Sequence, residues 1–138
     1  EFKRKIRWKL PLLLQVLKLG YNVLYIDSDV ILFKNPLSDL QSRVGYDIMA
    51  QKDGIFVCTG FMYIVSNNRS IELFSLATEL VMTRALRDQM AVHEAWKQRP
   101  IPRQFLPIES YPSGQDYVNT YQFYWDNQSI TTVYGIIP

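Results

Sequence analysis

One stretch constrains this chain more than any other. From Asn22 to Phe33 the sequence is an almost continuous apolar run, broken only where Asp27 and Asp29 flank Ser28. So apolar a run predicts a strand buried on both faces of an α/β sheet. Residues two apart on a strand point the same way, so an unbroken strand would drive both acids into one face of the core. The strand is therefore expected to end near Ile26 and the chain to turn there. Both carboxylates then meet at the carboxyl edge of the sheet, where open α/β proteins bind ligands. Two hard oxygen donors that close repel unless a cation sits between them, and Mg²⁺ or Mn²⁺ carrying substrate phosphates is the natural occupant. The competing reading is structural: an Asp-x-Asp at a strand end can simply cap a turn.

The segments around this run set the fold class. Residues 3–19 predict a helix, in one piece kinked at Pro11 or in two pieces about it, with Leu13, Leu14, Val16 and Leu17 buried and Gly20 as its stop. Helix, glycine, then buried strand is the second half of a βαβ unit, which implies a parallel sheet. Residues 35–39 read as a turn, 47–51 as a short strand and 59–65 as a second buried strand entered through Gly60. An amphipathic helix is expected over about 70–83, with Ile71, Phe74, Ala77, Leu80 and Val81 on one side. A further helix opens at Asp88-Gln89, carries Ala91, Val92, Ala95 and Trp96, and closes at Pro100 and Pro102. The tail is turn-rich and aromatic, from Tyr117 to Trp125. Such a cluster suits a satellite core more often than a sugar-stacking face.

Composition narrows the function classes. With 138 residues and 48% hydrophobic content the chain is one folded domain at most. A formal charge of +2 does not imply nucleic acid, even though Lys3, Arg4, Lys5, Arg7 and Lys9 crowd the first ten positions; a solvated helix face is their ordinary explanation. Cys58 is the single cysteine, which excludes an internal disulfide and a cysteine zinc site. It reads as a small buried hydrophobe. Asp47, Asp53, Glu109 and Asp116 read as solvated loop residues, and His93 as an ordinary helix residue. Sequons at Asn68-Arg69-Ser70 and Asn127-Gln128-Ser129 point towards a secretory lumen. No stretch is apolar for long enough to span a bilayer. The chain opens mid-pattern, without a signal peptide, which suggests a fragment.

Three features in order carry a family resemblance: the strand ending in Asp27-Ser28-Asp29, the strand at Thr59-Gly60-Phe61-Met62, and Asp88-Gln89 opening a helix. Together they resemble the nucleotide-diphospho-sugar transferases, similar to glycosyltransferase families 77 and 8. Leu19-Gly20-Tyr21-Asn22-Val23-Leu24-Tyr25 and Pro112-Ser113-Gly114 look like the family 77 branch. The resemblance implies a GT-A-like, mainly parallel mixed sheet flanked by helices, filling 1–138 as a single domain incomplete at both ends. It implies retaining transfer of a sugar from a nucleotide sugar to a glycan or glycoprotein acceptor. Asp27 and Asp29 would then hold Mn²⁺ or Mg²⁺ against the donor diphosphate, with Ser28 beside it. Gly60 would admit the donor close to backbone, Asp88 would bind donor-sugar hydroxyls, and Gln89 would lie near the anomeric centre. It further implies a Golgi lumenal enzyme whose membrane contact is an anchor outside this chain.

Departures from the family pattern fall at Cys58, where Asn is frequent, and at Met90 and His93, where family 8 has Asp and Asn. The family's third metal ligand is a C-terminal histidine, which has no counterpart here. Two other functions fit parts of the pattern. One is a Mg²⁺-dependent phosphohydrolase whose first Asp attacks phosphorus, although bulky Val30-Ile31-Leu32 follows where a small turn is usual. The other is a non-catalytic sugar-binding or assembly domain of the same fold.

Overall fold

The computed structural model describes residues 8–114 and the backbone strand at residues 135–136. Four strands form one mixed sheet in the order β1 (Val23–Ile26), β4 (Phe56–Ile64), β3 (Ile48–Asp53), β5 (Arg103–Phe105). A separate two-stranded ladder pairs β2 (Ile31–Leu32) with β6 (Gly135–Ile136). Four helices complete the described chain: α1 (Lys9–Lys18), α2 (Leu37–Ser42), α3 (Asn68–Arg84) and α4 (Asp88–Gln98).

The expected α/β class with a mixed sheet and flanking helices holds. Its pairings are less parallel than expected, since β1–β4 and β3–β4 are antiparallel and only β3–β5 is parallel. The cause is a hairpin. Asp53 and Phe56 pair across Gly54-Ile55, and Gly54 takes φ +57°, a conformation glycine adopts without a Cβ penalty. β4 therefore turns back between β1 and β3, while β1, β3 and β5 keep one common direction.

Side-chain alternation gives the sheet two covered faces. Val23 and Tyr25 of β1, Ile48 and Ala50 of β3, and Met62 and Ile64 of β4 face α1, α3 and α4. Met49, Phe61 and Tyr63 face the other way, with Leu24 and Ile26, against Leu40, Leu106 and Tyr111. β1 is half-buried along its length and ends the described sheet, so its expected burial on both faces is only partial. Ile31 and Leu32, beyond the expected turn after Ile26, are exposed on β2, off the four-stranded sheet.

Helix limits follow their caps. α1 begins at Lys9, and Pro11 lies in its first turn, where a missing N–H costs nothing. Leu10, Leu13, Leu14 and Leu17 form its buried stripe, while Val16 stands 39% exposed, against expectation. Gly20, at φ +87°, closes the helix with its N–H on Leu17 and that of Tyr21 on Val16, a Schellman ending. Asn67 and Ser70 cap α3 reciprocally, which starts that helix two residues before the expected position. Residues 37–39, expected within the turn at 35–39, instead open the one-and-a-half-turn α2 after Pro36; six residues show too little periodicity to be recognised. The aromatic cluster from Tyr117 to Trp125 lies outside the described residues.

Asp47, expected from the sequence to be a solvated loop acid, is only 4% exposed. Its carboxylate accepts from Arg69 Nε at 2.6 Å, Arg69 Nη2 at 2.9 Å and Asn67 Nδ2 at 2.7 Å, joining the start of β3 to the cap of α3. The Arg69 hydrogen bonds hold the Asp47 carboxyl below its ordinary range, with Asn67 helping against the opposing effect of burial. A group so depressed stabilises the fold fully above its unfolded value, and that contribution is lost as pH falls through the folded value. Asp47→Ala is expected to cost about 2 kcal/mol at neutral pH in urea denaturation, in the range for hydrogen bonds to charged groups. The gap from wild type should shrink steadily below about pH 4. A gap that stays constant down to acid unfolding would contradict this assignment.

Candidate active site

The turn that the two acids demand is present. β1 ends at Ile26, the Val30 N–H closes back on the Asp27 carbonyl at 3.2 Å, and Ser28 and Asp29 stand exposed at the tip. Asp27 is anchored by its own N–H, which donates to the Gly60 carbonyl at 2.8 Å. That contact continues the β1–β4 ladder by one rung, beside a break in the β3–β4 register. Ala50 pairs with Met62 but Lys52 with Val57, so Cys58 to Phe61 lie opposite Gln51 alone. The break lets β4 present Thr59 and Gly60 to neighbouring groups at the carboxyl ends of β1 and β3.

The third element arrives from the helices. Asp88 is the first residue of α4, where an acid is favoured by the helix dipole. It accepts from Thr59 Oγ1 at 3.0 Å, which ties α4 to the register break. Sequence reading had separated Asp27 from Asp88 by 61 residues; the fold brings both onto one ammonium. Lys9 Nζ lies 3.2 Å from each Asp27 carboxylate oxygen and 2.9 Å from Asp88 Oδ2. Its side chain is only 9% exposed and its charge lies over the Tyr25 ring, 4.4 Å from the centroid. Tyr25 completes the cluster by donating its hydroxyl to Asp27 Oδ1 at 2.7 Å.

Lys9 is a functional candidate that sequence reading took for part of a solvated basic run. A signal was available, because Lys9 falls on the same helical stripe as Leu13 and Leu17. A charge on a buried stripe must find a partner. The partners it finds shape the electrostatics. Burial pushes against ionisation of Asp88, but the Lys9 charge and hydrogen bond, with the Gln89 N–H and Thr59 hydroxyl, hold its carboxyl below the ordinary range. The Tyr25 hydroxyl is pushed far above its ordinary value by burial first, then by its bond to Asp27 and the charges of Asp27, Asp88 and Asp29. Among the described residues, Asp27 and Asp88 pair with the Lys9 ammonium, and Asp29 adds a third carboxylate near Tyr25.

Gln89 lies half-buried beside Asp88 and donates Nε2 to Asp53 Oδ2 at 2.7 Å, across from the hairpin. A carboxylate only accepts, so the amide nitrogen must face Asp53, which leaves the carbonyl Oε1 turned from it. His93, one turn further on, packs its ring edge-on to Phe56 at 4.6 Å, the ordinary helix role expected of it. Cys58 is half-buried rather than buried, and burial pushes its thiol up, which makes it a poor nucleophile. A cleft of about 580 Å³ opens at the opposite, amino edge of β1 and β3, among Asn22, Tyr46, Asp47, Tyr63 and Arg69. It shares no residue with the Asp27–Asp88 cluster.

The donors present suit a divalent ion. Asp27 and Asp29 offer hard oxygens from a single turn, and Mg²⁺-type ions commonly take one or two carboxylates plus phosphate and water. Among the described residues no group of three His, Cys, Asp or Glu side chains forms a complete protein cage.

Comparison with known proteins decides the family. The profile described as nucleotide-diphospho-sugar transferase matches residues 1–134. The chain belongs to this family. It is 25% identical over 135 residues to a UDP-galactose:fucoside alpha-3-galactosyltransferase of Dictyostelium discoideum, covering 77% of this chain and 21% of that protein. Against a beta-arabinofuranosyltransferase of Arabidopsis thaliana it is 31% identical over 104 residues, 67% of this chain and 19% of the relative. An uncharacterised Arabidopsis thaliana protein is 39% identical over 66 residues, 46% of this chain and 20% of the relative. The chain thus spans about a fifth of the length of the curated relatives it matches. Asp27, Gly60, Asp88 and Gln89 of this family member all lie at one edge of its sheet.

Proposed function

We propose that this chain carries the donor site of a metal-dependent, retaining glycosyltransferase that moves a sugar from a nucleotide diphosphate to a glycan or glycoprotein. The single observation that carries the reading is the convergence of Asp27 and Asp88 on Lys9 at the carboxyl edge of the sheet, in a chain of this family. Asp27 and Asp29 would hold Mn²⁺ or Mg²⁺, which when bound supplies Lewis-acid stabilisation of the departing diphosphate.

The chain's own residues then divide the remaining work. Asp88, kept ionised by Lys9 and Thr59, receives donor-sugar hydroxyls and opposes the positive charge that develops on the sugar ring. Gln89 turns its carbonyl oxygen to the anomeric carbon because Asp53 holds the nitrogen. Gly60, a buried residue, fixes the Asp27 turn through its carbonyl and, having no side chain, would let the donor approach the backbone there. Ser28, exposed at the turn tip, meets the diphosphate or the ribose. Lumenal residence, in the Golgi, fits the family and the exposed Asn68 of the first sequon. Among the described residues no helix is long and apolar enough to cross a membrane.

The test is a transfer assay with the full-length protein, a panel of labelled nucleotide sugars and a mixed glycan acceptor pool. The expected result is transfer from one donor, with the anomeric configuration kept and activity lost on chelation of divalent ions. Release of inorganic phosphate from monoesters, without sugar transfer, would point to the phosphohydrolase instead.

A further inference from the structure

The reading of Asp27 and Asp29 as cation ligands leaves Lys9 in an awkward place, and the difficulty is informative. We propose that Lys9 couples cation to donor: its ammonium occupies the side of Asp27 that a divalent ion needs, so the ion binds tightly only together with a diphosphate. This rests on the metal reading above and adds a regulation to it.

A carboxylate presents about four lone-pair directions. On Asp27, Lys9 Nζ meets both oxygens at 3.2 Å and the Tyr25 hydroxyl meets Oδ1 at 2.7 Å. One direction remains, on Oδ2. A chelating, two-oxygen bond to a cation is therefore blocked, and a one-oxygen bond sets the ion beside an ammonium. Lys9 is nine-tenths buried, so water and salt screen that repulsion poorly. Asp29, exposed and outside the ion pairs that Lys9 makes with Asp27 and Asp88, is then the more available ligand for a free ion.

A diphosphate changes the balance. Its anionic oxygens would attract both the ion and the ammonium, so the repulsion between them would give way to shared attraction to one ligand. Lys9 also has somewhere to go, because Asp88 Oδ2 lies 2.9 Å away on its other side and the Tyr25 ring supports the charge from beneath. Linkage makes the effect reciprocal: whatever the diphosphate adds to cation affinity, the cation adds to diphosphate affinity.

The test measures Mn²⁺ binding to the full-length protein by electron paramagnetic resonance, alone and with saturating UDP, after correction for Mn²⁺ bound to UDP in solution. In wild type, UDP should tighten Mn²⁺ by about tenfold or more, within the range of ordinary coupling between sites. Lys9→Met keeps the aliphatic stem and removes the charge. It should bind Mn²⁺ alone about tenfold tighter than wild type and lose most of the UDP effect. Lys9→Arg, which keeps the charge, should behave as wild type. Should Lys9→Met fail to fold, Lys9→Gln takes its place with the same expected results, and absence of a UDP effect in wild type also overturns the coupling. Unchanged or weaker Mn²⁺ affinity in folded Lys9→Met, with Asp29→Ala still losing the ion, overturns the coupling and leaves the metal reading standing. No Mn²⁺ binding to any of these proteins, with or without UDP, overturns both.

Discussion

Asp88→Asn in the full-length transferase is expected to lower kcat by about a hundredfold or more while donor KM changes far less, as for removal of one preorganised charge-stabilising group. The substitution keeps the shape of the side chain and its place as first residue of α4. It removes the negative charge that Lys9 and Thr59 orient. That charge opposes a positive charge which exists on the sugar mainly in the transition state, so the loss falls on kcat and not on ground-state binding. Steady-state kinetics, with circular dichroism to check the fold, measures it. A variant that raises only KM would make Asp88 a binding group, and one with wild-type kinetics would reduce it to a helix cap.

Asp29→Ala is expected to abolish Mn²⁺ binding at concentrations where wild type is saturated in the presence of UDP. The physical reason is how little Asp27 can offer alone. Two of its lone-pair directions face Lys9 and one faces Tyr25, so Asp29 supplies the unencumbered oxygens of the pair. A single one-oxygen carboxylate is a small part of an octahedral shell, so the fall should be steep. Calorimetry giving equal affinities for wild type and Asp29→Ala would remove the turn from the cation site.

Much of this site was legible because burying charge is so costly. Two acids in an apolar strand forced a turn after Ile26, and β1 ends there. The same rule, applied to Lys9 on the stripe of Leu13 and Leu17, would have found the ammonium between Asp27 and Asp88. Grouping it with four neighbouring basic residues hid that signal. Helices α3 and α4 were legible through their 3.6-residue period, and α1 through the glycine after its last turn. What stayed hidden depends on contacts distant in sequence. Nothing local to Asp47 reveals that Arg69 and Asn67 bury it, and nothing local to Cys58-Thr59-Gly60-Phe61 reveals the register break against β3. The Asp53-Gly54 turn was a readable hairpin sign, and it determines that β4 runs against its neighbours.

The turn at Asp27 and Asp29 is expected to hold the cation that receives a nucleotide diphosphate. Anomalous scattering from Mn²⁺ in crystals of the full-length protein grown with UDP tests it most directly. The account predicts one strong peak within bonding distance of Asp29 and of a single Asp27 oxygen, with diphosphate oxygens on its open side and Lys9 Nζ against the same diphosphate. A peak away from the turn, or UDP seated at the amino edge among Asn22, Asp47 and Arg69, would contradict it.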